Sequence, residues 1–169
     1  MTTDITTVTM MNNTLILSDD DKRFIITARE LLEDDRVMLM QHFTQHGNVS
    51  CYEHCLMVAL YSYLFAKHLK IKINVEALVR GALLHDFFLY DWHDTAFTPD
   101  GLHGFSHPYT ALKNACRFFN LTEREKNIIF CHMWPLTPLQ IPAYPEAWLV
   151  CMADKYCSLK ETLFKDPYK

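Results

Sequence analysis

Two four-residue words, Ser50-Cys51-Tyr52-Glu53 and Thr122-Glu123-Arg124-Glu125, limit the folds open to this chain more than any other feature. In each, a hydroxyl and a carboxyl three residues apart can satisfy each other's free backbone amides, the reciprocal arrangement that opens an α-helix. Further starts belong with them. Ser18 precedes Asp19, Asp20 and Asp21, whose carboxylates complement a helix dipole; Asn74 can cap by its side chain; Pro145 has the fixed φ that suits a first helical position. Only four glycines stand among 169 residues, too few for a fold of many tight turns, and the 50% apolar content is enough for one well-filled core. The expectation is an all-α fold, a single domain of about six or seven helices.

In chain order, Met1 to Leu17 reads as an N-terminal tail or arm, and residues 18–169 as the domain. A first helix runs to about Leu32, and a second covers Asp35 to Phe43, with Met38 and Met40 as packing residues. Gln45 to Asn48 is a turn, after which a long helix runs from Ser50 to about Leu69. The helix after Asn74 carries Leu78, Ala82, His85 and Leu89 at helical spacing. From Asp91 to Phe105 the pattern is lost, and a loop of that length suggests a lid or pocket wall. Ser106-His107-Pro108 restarts a helix with His107 at the cap, because proline disfavours a helical residue before it. The helix from Thr122 places Ile128, Ile129 and His132 on one face. Pro135 to Pro145 is an irregular connection, and a last helix to near Phe164 carries Ala147, Val150, Asp154 and Cys157 on one stripe. No strand alternation of any length competes.

A net charge of -4 without a basic cluster gives no footprint for a nucleic-acid polymer. No run approaches the roughly 18 to 20 apolar residues of a membrane span, and no signal peptide pattern opens the chain. The cysteines Cys51, Cys55, Cys116, Cys131, Cys151 and Cys157 lie mostly within apolar helical patterns and read as reduced thiols. A cytoplasmic protein acting on a small molecule is expected.

Chemistry concentrates in six side chains. His85 and Asp86 stand side by side at the end of an apolar run, and His54, His107, His132 and Asp154 come from four other segments. Buried ionisable groups are costly unless paired or bound to metal, and five segments would each have to bury one for an unrelated reason. Glu53 is accounted for as a capping residue, and Trp134 and Tyr156 as packing.

The order His, then His-Asp, then His, His and a final Asp on successive helices resembles the HD-domain superfamily of metal-dependent phosphohydrolases, over roughly Gly47 to Leu163. The resemblance implies a four-ligand core of His54, His85, Asp86 and Asp154. It assigns His107 and His132 to a second ion, as in the dinuclear branch, with Asp86 bridging; His103 is the rival of His107. The implied cofactor is two divalent ions, with iron or manganese favoured by the nitrogen and oxygen donors and zinc, cobalt and nickel also compatible. The implied reaction is hydrolysis of a small phosphoester, a nucleotide among the candidates, by a metal-bridging hydroxide centred on Asp86. Lys155, next to Asp154, is the candidate partner for the substrate phosphate. His46, Asn48, Trp92, His93 and His103 are candidate pocket residues. Two departures bear on the substrate. Many members carry a lysine three residues beyond the doublet, where this chain has Leu89, and the Gly-Tyr-Pro signature of the cyclic-di-nucleotide branch is absent. The same six ligands also resemble those of mixed-valence di-iron oxygenases similar to myo-inositol oxygenase, and a non-catalytic, metal-containing ligand sensor is the third alternative.

Overall fold

Ser18 and Asp21 close the first reciprocal cap, and from it helix α1 (Asp19–Leu32) packs its buried face, with Ala28 and Leu31, into the core. This is a computed structural model, and it describes residues 17–93, 103–164 and 167–168; all but Leu17 of the expected arm over residues 1–17, and the greater part of the expected loop, residues 94–102, lie outside the described residues. The predicted second helix is split. Helix α2 (Asp35–Met38) gives way to a 3-10 turn at Leu39–His42, which buries Met40 but leaves Met38 exposed.

The expected turn at Gln45 to Asn48 is the tip of a small hairpin that periodicity did not reveal. Strand β1 (Thr44–His46) pairs antiparallel with β2 (Val49–Ser50), and Gly47, at φ +57°, makes the reversal. Two or three residues are too few for an alternating pattern. A side chain at Gly47 would also meet the Glu161 carbonyl at 3.0 Å, so the hairpin rests directly on the last helix.

Helix α3 (Cys51–Leu69) starts from the expected Ser50–Glu53 box and is packed against both α4 (Val75–Leu84) and α7 (Pro145–Leu163). Helix α4 ends earlier than its apolar spacing suggested. His85 is its C-terminal cap, and Leu89 is off the helix at φ +59°. Asn114 on α5 (His103–Phe118) fixes this chain reversal by donating to the carbonyls of Phe87 and Phe88 at 3.1 and 3.0 Å. Helix α5 itself begins at His103, so His107 lies in its second turn rather than at its cap and Pro108 is inside the helix. The missing amide of Pro108 would have bonded the Gly104 carbonyl, close enough to the helix start for the ladder to tolerate the gap.

Helix α6 (Glu123–Cys131) opens on the second predicted box, and Glu125 of that box also takes Arg80 of α4 at 2.6 Å. Gly81 lets α4 and α6 cross closely, since a Cβ there would lie 2.7 Å from Ile128. Buried Glu146, at the start of α7, accepts from the Asn74 amide and from Arg124, tying three helix starts together. The architecture is the expected all-α bundle, with seven α-helices among the described residues. None of these helices is long and apolar enough to cross a membrane, and all six cysteines are free.

Candidate metal centre

The close crossing at Gly81 and Ile128 sets the site. One helical turn beyond each lie His85 and His132, and their rings stand 4.8 Å apart. His54 arrives from the first turn of α3, His107 from α5 and Asp154 from the middle of α7; with Asp86, all six candidate ligands are buried together.

Asp86 lies between two sets of ring nitrogens. Its Oδ2 is 3.4 Å from Nε2 of His85 and 3.8 Å from Nε2 of His54, while its Oδ1 is 3.3 Å from Nε2 of His107 and 3.5 Å from Nε2 of His132. Asp154 Oδ1 joins the first set, 3.2 Å from His54 and 3.8 Å from His85. The groups His54, His85, Asp86 and Asp86, His107, His132 each bring their donor atoms within 4.8 Å of one another and share the one carboxylate.

Each imidazole is anchored by its other nitrogen. Nδ1 donates to the carbonyl of Ala82 from His85 (2.7 Å), of His103 from His107 (2.8 Å) and of Ile129 from His132 (2.7 Å). A carbonyl only accepts, so Nδ1 carries a proton in each of these rings, and the lone pair that a neutral ring offers a metal is the one on the convergent Nε2. His54 donates its Nδ1 proton to Glu161, 2.8 Å away, the carboxylate–histidine pairing that orients metal-binding rings.

The residues fit a metal. His85 Nε2 and Asp86 Oδ1 are buried without a hydrogen-bond partner, and the Nε2 atoms of His107 and His132 face each other at 2.8 Å. An unmet buried polar atom costs about 1–3 kcal/mol, and facing lone pairs require a proton or a cation between them. Four imidazoles and two carboxylates, with no thiolate, are donors for a divalent transition ion.

Electrostatics point the same way. Burial works to raise the carboxyl pKa values, yet His85 and His107 hold Asp86 well below the usual range, and His54 and His85 do the same for Asp154. Burial, then His85 and His107, press His132 down to about 3, keeping it a neutral donor. Burial also opposes charge on His54, but Asp154 and Glu161 overcome it and lift the ring to about 10. Two fixed anions thus draw positive charge to a point where one ring refuses a proton.

Asp86, His107, His132 and Asp154 open onto a cavity of about 640 Å³, beneath which His54 and His85 are fully enclosed. Of the candidate pocket residues, His46, Trp92 and His103 line it, and so does Lys155, whose Nζ donates to the His132 carbonyl at 2.8 Å. His103 reaches neither Asp86 nor His132; it stacks on His107 instead, with 4.6 Å between ring centroids. Asn48 and His93 lie elsewhere. Asn48 is exposed on the hairpin tip beside a separate surface cavity with Ser50 and Glu53. His93 is exposed, 3.2 Å from Asp91 and packed on the outer side of Trp92. Trp134 packs on Trp148, and Tyr156 on Tyr61.

Two contributors escaped the sequence reading. Gln45 donates from Nε2 to Asp86 Oδ2 at 2.6 Å and accepts from the Cys51 thiol; no pattern marks a glutamine on a three-residue strand. Glu161 lies seven residues beyond Asp154, two turns along the same face of α7, which is a usable signal. Tyr168 donates to it from the far side.

No curated protein and no solved structure matches the chain significantly. A family model does, that of the HD domain, over residues 51–159. That match takes in every one of the six converging side chains and well over half of the 169 residues, and the chain therefore belongs to the HD-domain family.

Proposed function

We propose that this protein is a metal-dependent phosphohydrolase of a small phosphoester, with Asp86 shared between two divalent ions. The observation that carries the reading is the division of one carboxylate, Oδ2 toward His54 and His85 and Oδ1 toward His107 and His132. The HD domain is a family of metal-dependent phosphohydrolases, which supports the same chemistry. Two ions there would supply Lewis acidity toward a phosphoryl oxygen and make a water acidic enough to react at neutral pH; iron or manganese suits the donors best.

The chain's own groups do the positioning. The Nδ1 bonds lock four rings so that their Nε2 atoms stay convergent, and Gln45 holds Asp86 from the side. Lys155 spends one N–H on the His132 carbonyl and stands 3.7 Å from Asp154, leaving donors for a phosphoryl oxygen at the cavity wall. Met133, Pro135 and Leu136 make the adjoining wall apolar, which keeps competing water away from the ester.

The test is a change of metal. Protein stripped and reloaded with manganese is expected to release inorganic phosphate from members of a phosphomonoester panel without taking up oxygen. Oxygen consumption by an iron-loaded form, with no phosphate release from either form, would replace this reading with the oxygenase.

A further inference from the structure

We infer that the cavity above Asp86 selects a monoester carrying one phosphoryl group on a flat, uncharged leaving group, and rejects substrates with a second anionic group. The inference rests on the phosphohydrolase reading and adds the substrate class to it.

The first support is the shape and chemistry of the walls. Trp92, His103 and His107 form one pile of rings: Trp92 and His103 are 4.9 Å apart at 11°, and His103 and His107 are 4.6 Å apart at 18°. The faces of His103 are therefore taken by its neighbours, and what His103 offers the cavity is a ring edge. Edges carry the positive end of the aromatic quadrupole, and the partner they prefer is the face of another flat ring. Met133, Pro135 and Leu136 also line the cavity, apolar and, at Met133, polarisable against a ring. A Cβ on Gly104 would come within 3.4 Å of Leu136, so the start of α5 and the connection after α6 approach to van der Waals distance there. Ring edges and aliphatic side chains in one lining suit a planar apolar group. The cavity volume of about 640 Å³ is enough for a small molecule with one ring system.

The second support is charge. Among the described residues lining the cavity, Lys155 is the one lysine or arginine. Two divalent ions with the hydroxide they would hold, set against Asp86, Asp154 and Glu161 and joined by Lys155, would leave a surplus of one positive charge, which a single phosphoryl group already meets. Among the described lining residues no second lysine or arginine remains to meet a further phosphoryl or carboxylate, and an unpaired charge against apolar walls is costly.

Binding of three inert probes to the manganese-loaded protein tests this without requiring turnover. Phenylphosphonate is expected to bind roughly tenfold or more tightly than methylphosphonate, and 4-carboxyphenylphosphonate roughly tenfold more weakly than phenylphosphonate. In Trp92→Ala and Leu136→Asn, both at half-buried or exposed positions where folding is safe, the phenyl advantage should shrink to about threefold or less while methylphosphonate binding holds. Equal affinity for phenyl and methyl probes, tighter binding of the carboxylated one, or no phosphonate binding at all would each overturn the inference. A retained phenyl preference with no phosphate release from any ester would instead leave the pocket assignment standing and remove the hydrolase reading.

Discussion

Glu161 shows what a single side chain contributes to this site. Its carboxylate takes the Nδ1 proton of His54, fixes that ring's orientation and raises its basicity toward whatever Nε2 meets. Glu161→Gln keeps an oxygen that can accept the same proton but removes the charge. It should lower metal affinity about 10- to 100-fold by competition with a chelator, leaving far-ultraviolet dichroism unchanged. Undiminished affinity would make Glu161 a packing residue. The six convergent side chains were legible because histidine and aspartate on apolar helical stripes have few other reasons to be buried. Glu161 was less so, since a carboxylate near the end of a helix ordinarily faces solvent, and Gln45 not at all, since its place depends on a hairpin. His107 was legible for its chemistry but not its position: Pro108 read as a helix start, yet the structure tolerates that proline one turn further in.

At the scale of elements, capping chemistry was the most readable signal, and Ser18, Ser50, Asn74 and Thr122 all cap the helices they open. Apolar spacing was less faithful. It carried α4 on to Leu89, whereas the helix stops at Leu84 and Asn114 captures the reversed carbonyls, a contact from 26 residues away that no local pattern contains. The crossing of α4 and α6 is the element-level device that brings His85 to His132, and it depends on the absence of a side chain at Gly81. The atoms a Cβ would meet there include the Ile128 Cβ at 2.8 Å, which cannot swing aside. Gly81→Ala should therefore cost about 1–3 kcal/mol by denaturant titration, despite alanine's better helix propensity. It should also weaken metal binding, because His85 and His132 lie one turn beyond the strained contact. A neutral or stabilising result would show that the two helices are free to part.

For the whole molecule, α7 is the spine: it packs against α3, α4 and α6, receives the hairpin at Glu161 and lends Asp154 and Lys155 to the site. The six candidate ligands meet within a largely apolar core, in which Phe87 and Phe88, directly after the doublet, are themselves buried. The fold class was readable because every strong local signal was helical. The cavity was not, because its lining comes from the start of α5, from a connection of prolines after α6 and from Trp92, in a stretch without periodicity. The proposed role of Asp86, one carboxylate shared between two ions, is tested most directly by counting ions. Element-resolved metal analysis of manganese-loaded protein, after removal of free metal, should give two ions per chain. A value of one or fewer would contradict the shared role of Asp86.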